Sequence, residues 1–99
     1  MRRVVVSVMA RSDIEQGWLF YQRRESGIGD YFESTIWSDI ESLSHLHGIH
    51  GTHFGYLRMI ATTFPFGIYY SEGPEATEVV AVLDLRRNPS WLRRQLRKR

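Results

Sequence analysis

At 99 residues, 42% of them hydrophobic and 13% aromatic, the chain has room for one sheet and two or three helices around one core, and its composition excludes a disordered protein. It contains no cysteine, which excludes disulfides and thiolate zinc sites and fits a reducing compartment. The net charge of +2 hides an asymmetry: residues 1–85 carry six arginines against all eleven acids, whereas residues 86–99 carry seven cations and no acid.

Arg2 and Arg3 precede the apolar run from Val4 to Ala10. Arg11 ends the run early and no small-residue cleavage site follows, so residues 3–8 are expected to form a buried strand rather than a secretory signal. No segment approaches the ~20 apolar residues of a membrane span, and the expectation is a cytoplasmic protein with no membrane contact. A helix should follow from Ala10 to Arg24, with Ile14, Trp18 and Tyr21 on one face. Either Ser7 caps it directly or Ser12 and Glu15 form a capping box. Gly17 in its middle costs about 1 kcal/mol relative to alanine, which a close neighbour would explain.

Residues 26–29 read as a turn, after which Asp30 is expected to cap a second helix with Phe32, Ile36, Ile40, Leu43 and His47 facing inward. Gly48 suits a left-handed helix end. The two helices form an αα-hairpin. From Phe54 to Thr63 the pattern alternates as in a strand, and Phe64-Pro65-Phe66 breaks it. Strands are expected at Gly67–Ser71 and Val79–Leu85, the latter central because it is almost wholly apolar. Residues 72–75 form the loop between them. Asn88-Pro89 caps a short basic helix from Ser90 to about Lys98. The order is β-α-α-β-β-β-α, an α+β fold with the αα-hairpin on a small, mainly antiparallel sheet and the helices on one face.

Several segments in this order resemble the RelE/ParE superfamily of toxins from type II toxin–antitoxin (plasmid stabilisation) systems. They are Ala10-x-x-Asp13-Ile14, then Tyr21 with Gly27-Ile28-Gly29-x-x-Phe32, and Arg58. Further on come Phe64-Pro65-Phe66-x-Ile68-Tyr69-Tyr70, and Ala81-Val82-Leu83-x-x-Arg86-Arg87-Asn88-Pro89-x-Trp91. The resemblance spans residues 10–91 and implies one toxin domain over 1–99 that arrests bacterial growth. It also implies neutralisation by a cognate antitoxin in a hetero-oligomer. RelE-like members cleave mRNA on the ribosome, whereas ParE-like members poison DNA gyrase.

The residues bear on that choice. Arg58 is a lone cation in an apolar strand, and Arg86 and Arg87 follow a buried strand, a rigid place to present charge. One of them either pairs with Asp84 or contacts the target; both readings stand. RNA cleavage needs a base for the 2′-hydroxyl, an acid for the leaving oxygen and cations on the phosphate. Arg58, Arg86 and Arg87 would supply the cations, with His50 or His53 as base. The only lysine is Lys98, residues 79–99 hold no histidine or tyrosine, and Trp91 stands near where the family places a tyrosine. The ending therefore resembles the ParE-like branch, with Arg58, Arg86, Arg87, Trp91, Arg93, Arg94 and Arg97 as target contacts. A non-toxic nucleic-acid-binding module is a further alternative, and a solvated basic tail without a partner is the plain one. The cluster His45, His47, His50 and His53 is read as a polar loop rather than a metal site, because residues two apart on a helix do not face each other. No cofactor and no metal are expected. Trp18, Trp37, Tyr69 and Tyr70 are expected in the core. Tyr31 and Tyr56 are either buried or groove aromatics for a nucleic-acid base.

Overall fold

Ser7 ends one element and starts the next. In the computed structural model, which describes residues 1–99, strand β1 spans Arg3–Val6 and helix α1 spans Val8–Arg24. Between them the Ser7 hydroxyl accepts the Ala10 N–H at 3.0 Å. Ser12 lies inside the helix and accepts a side-chain bond from Gln16 instead. Gly17 has the expected close neighbour: a Cβ there would fall 2.5 Å from two carbons of the Phe32 ring. Phe32 belongs to α2, Ile28–Leu46, which folds back against α1.

The cap expected at Asp30 is displaced by three residues. Gly27 takes the cap position at φ 96°, a conformation glycine adopts without a Cβ penalty. Asp30 sits in the first turn, where its carboxylate accepts the Trp18 indole N–H at 2.7 Å. Trp18 is thus half-buried at the hairpin turn rather than in the core, and Trp37 is half-buried as well. Phe32, Ile36, Ile40 and Leu43 are buried as their spacing requires. His47 leaves the stripe because α2 ends at Leu46, and its Nδ1 faces Glu72 at 2.9 Å. Gly48 follows at φ 79°.

Four further strands are β2 (Thr52–His53), β3 (Tyr56–Ile60), β4 (Phe66–Glu72) and β5 (Ala76–Asp84). The sheet order is β1-β5-β4-β3-β2, with β1 parallel to β5 and the other pairs antiparallel. The strand expected over 54–63 is in fact the turn of a β2–β3 hairpin followed by its second strand, which ends at Ile60. Phe54 at φ 54° and Gly55 at φ 87° make a two-residue turn of the kind that needs two left-handed residues. Such a backbone suits Gly55 and strains Phe54 by an amount of order 1–3 kcal/mol. β5 is central as expected. β1 is not buried on both sides: it has one neighbour, and Val4, Val5 and Val6 are half-buried.

Helices cover both faces of the sheet, not one. α1 and α2 pack on the face carrying Ile68, Tyr70, Val79 and Val82. The last helix, α3 (Pro89–Arg97), is capped by the Asn88 side chain, which accepts the Trp91 N–H at 2.8 Å. Its Leu92 and Leu96 pack with Tyr69, Val80, Ala81 and Leu83 on the opposite face. A β-bulge makes room for this. Tyr70 pairs with Val79 and Tyr69 with Ala81, so Val80 is the extra residue, and Val80 and Ala81 both belong to the α3 side. Phe64 and Phe66 flank the proline break and turn their rings to the α1–α2 side. They pack against the helical hairpin, Phe64 at 4.7 Å from Tyr21 and 5.1 Å from Phe32 between ring centroids.

β5 outruns its parallel neighbour, and its open edge is filled by side chains. The Asp13 carboxylate accepts the Val82 N–H at 2.9 Å, while Arg99 donates to the Val80 carbonyl at 3.0 Å. The two side chains pair through 2.7 and 3.1 Å bonds and are only 10% and 4% exposed. First helix, central strand and final residues are thereby locked at one point.

Candidate functional site

The cations of the C-terminal segment are sorted by the turns of α3. Leu92 and Leu96 point at the sheet. Arg93 and Arg97, one helical turn apart, flank the β2–β3 turn. Trp91, Gln95 and Lys98 flank α1 across a groove of about 470 Å³ whose rim also carries Phe20, Met9, Asp84 and Arg87. Arg94 is exposed between the two flanks. No acid lies in residues 86–99, so the outer surface of this helix is uniformly positive.

Aromatic rings hold several of these guanidiniums. Arg87 lies 3.9 Å over the Trp91 ring and Arg93 5.4 Å from that of Phe54. Arg24 is 4.1 Å and Arg86 6.0 Å from Phe20 at the end of α1. A stacked guanidinium keeps its edge free for an anion while losing less freedom on contact.

The choice left open at Asp84 goes to Arg86. Its Nη2 and Nε donate to the carboxylate at 2.7 and 3.0 Å, and its backbone N–H adds a third bond at 2.9 Å. Burial works to raise the Asp84 pKa, but these bonds outweigh it and hold the carboxyl below its ordinary value. The same bonds raise the Arg86 guanidinium. Arg86 also reaches the Tyr21 hydroxyl at 3.4 Å, so it ties the end of β5 to α1. Arg87 takes part in no ion pair of the protein and lies over the Trp91 ring instead.

Arg58 faces the α3 side of the sheet directly opposite Tyr69. The Arg58 Nε and the Tyr69 hydroxyl are both buried without a hydrogen-bond partner. The two side chains converge over Gly67, where a Cβ would stand 3.1 Å from Arg58 Cδ and 3.1 Å from Tyr69 Cε1. Tyr69 is a core residue, as its sequence suggested, yet it also brings an unpaired hydroxyl to Arg58; only strand register reveals that.

His50 does not converge on Arg58. His50 Nδ1 bonds the Tyr70 hydroxyl, on the hairpin side of the sheet, and Tyr70 accepts the Gly48 N–H at 3.1 Å. Burial lowers the His50 pKa, which keeps the ring neutral and suited to accept from tyrosine. His53 sits on the edge strand opposite Tyr56, and His45 is exposed. No three histidine, aspartate or glutamate side chains group as a metal site would require. Tyr31 is exposed with its ring 5.7 Å from Phe64, while Tyr56 is half-buried beside α3.

An αα-hairpin thus lies on one face of a β1-β5-β4-β3-β2 sheet and a short basic helix on the other, a fold shared with a solved structure. Among solved structures, the chain is similar to one from the chromosomal ParDE TA system of P. aeruginosa. The TM-score is 0.74 and the identity 11%, with 83% of this chain and 94% of that chain covered. No family model matches the sequence, and no curated protein matches it.

Proposed function

We propose that this protein is the toxin of a type II toxin–antitoxin pair, a single toxin domain over residues 1–99 that arrests bacterial growth by binding DNA gyrase. A cognate antitoxin covers it in a cytoplasmic hetero-oligomer until it is released. The observation that carries the reading is the fold, shared with a chain of a ParDE TA system at a TM-score of 0.74. Arg87, Trp91, Arg93, Arg94 and Arg97 form the contact surface. Arg86 is held beside it by Asp84, and Arg58 lies beneath. The scarcity of proton-transfer groups around the cationic surface favours inhibition over RNA cleavage. Lys98 is the only lysine, His50 is engaged with Tyr70 on the far face, and the Trp91 indole does not exchange protons at neutral pH. No helix is long and apolar enough to cross a membrane.

One observation favours the alternative, a ribosome-dependent mRNA endonuclease. Arg58 Nε and the Tyr69 hydroxyl lie unpaired on one face, a cation and a proton donor side by side. Tyr69 is 0% exposed, so the nuclease would have to lift α3 to admit a phosphate. Pulse labelling after induction of the gene without antitoxin separates the two. An early fall in thymidine incorporation alone is expected. An early fall in methionine incorporation alone supports mRNA cleavage, and a His50→Ala, His53→Ala pair that stays fully toxic removes the candidate bases from that mechanism.

A further inference from the structure

We propose a nucleotide-binding site in the cleft between the β2–β3 turn and α3, with a base stacked on Phe54 and its phosphate held by Arg93 and Arg97. It goes beyond the toxin reading and does not depend on which target is poisoned. The cleft measures about 540 Å³ and is lined by Phe54, Gly55, Tyr56, Arg93, Leu96 and Arg97. That volume lies within the range of small-ligand sites. Two guanidiniums and no carboxylate line it, and neither arginine takes part in any of the protein's ion pairs. The site therefore selects an anion, and the forked geometry of arginine suits phosphate oxygens.

The ring defines which anion. Phe54 is 37% exposed and stands at φ 54° in a turn ordinarily built from asparagine or aspartate followed by glycine. A bulky aromatic at such a position strains the backbone without gaining a core contact, and strain of this kind gathers at functional positions. Arg93 stacks 5.4 Å from the Phe54 ring, while Tyr56 and Leu96 form an apolar floor. An acidic peptide would use the guanidiniums and leave the ring idle, and so would inorganic phosphate. A nucleotide uses both, because every base has a π-face and every nucleotide a phosphate. Its source is either a free mononucleotide or a nucleotide unit in a single strand.

The test is fluorescence anisotropy of a short labelled oligothymidylate with the full chain, at about 50 and 200 mM salt, with AMP as competitor. Saturable, salt-sensitive binding is expected. Phe54→Asn keeps every cation and accepts the left-handed backbone, so the fold should be retained with a melting temperature no lower than the parent. It should weaken binding about tenfold with the salt slope unchanged. Phe54→Trp keeps a ring and should bind at least as tightly as the parent. Arg93→Gln with Arg97→Gln should weaken binding and flatten the salt slope by about 1.4. Displacement of the probe by AMP assigns the site to a free mononucleotide; binding that AMP does not displace assigns it to single-stranded nucleic acid. Undiminished binding by Phe54→Asn, an equal loss in Phe54→Asn and Phe54→Trp, or no saturable binding of either ligand overturns the proposal.

Discussion

Gly17 decides how closely the two long helices approach. On an open helix surface, alanine at such a position would gain about 1 kcal/mol. Here the new methyl meets the Phe32 ring at 2.5 Å, so Gly17→Ala should destabilise the protein by about 1–3 kcal/mol in urea denaturation. A stabilising effect would mean that the ring moves aside freely. That glycine was legible in the sequence as a residue out of place in a helix, although its partner was not. The pair Asp13 and Arg99 was not legible at all, because the two are 86 positions apart and only the end of β1 creates the open edge they fill. Asp13→Ala leaves a guanidinium with 4% exposure and no counter-charge, and should cost about 3 kcal/mol by the same measurement. At acid pH two groups act in one direction. His50 has a folded-state pKa below its unfolded value, so the unfolded chain binds more protons and stability falls as pH drops below about 6.5. In Glu72 burial opposes, but the bonds from Thr77 and His47 prevail and depress its pKa, so it contributes stability that is lost as pH falls further, below about 4.5. Melting temperature should therefore decline from pH 7 to pH 5, and less steeply in His50→Gln; a flat profile in the parent would contradict the buried, neutral imidazole.

The element with two roles is α3. Its inner side roofs the second face of the sheet through Leu92 and Leu96, and its outer side carries the cations. Deleting it to test toxicity would therefore expose Tyr69, Val80 and Leu83 and confuse loss of fold with loss of contact. Leu96→Ala alone should cost about 2–4 kcal/mol. The outer side can be tested separately. Arg93→Gln, Arg94→Gln and Arg97→Gln together should change stability by no more than about 0.5 kcal/mol per site, since none of the three is ion-paired. The same triple variant should lose growth arrest when expressed without antitoxin. Full toxicity with unchanged expression would show that this surface does not meet the target. The composition of α3 was readable in advance, because an Asn-Pro cap and an arginine run are local signals. Its face of the sheet was not readable, since that follows from the bulge at Val80, where nothing in the run Val79-Val80-Ala81-Val82 marks which residue is the extra one.

For the whole molecule, the uneven charge sets the behaviour. A net-acidic body carries a cationic end, and the end is positive on the face away from the αα-hairpin. Association with any anionic partner should weaken steeply with salt. A partner that covers α3 should also raise the melting temperature, because it stabilises the helix that closes the second core. The sequence by itself determined the α+β class, the hairpin of helices, the central last strand and the basic closing helix, since periodicity, β-branching and caps are properties of neighbouring residues. Its likeness to RelE/ParE toxins anticipated the fold that the structural comparison supports. Only the tertiary structure decided that β1 is an edge, that α3 lies opposite the hairpin and that Arg86 belongs to Asp84 while Arg87 does not. It alone set Phe54 against Arg93 and Tyr69 against Arg58. Each of these depends on strand register and on which face a side chain takes, and a single bulge or two-residue turn reverses that choice while leaving the pattern of apolar residues almost unchanged.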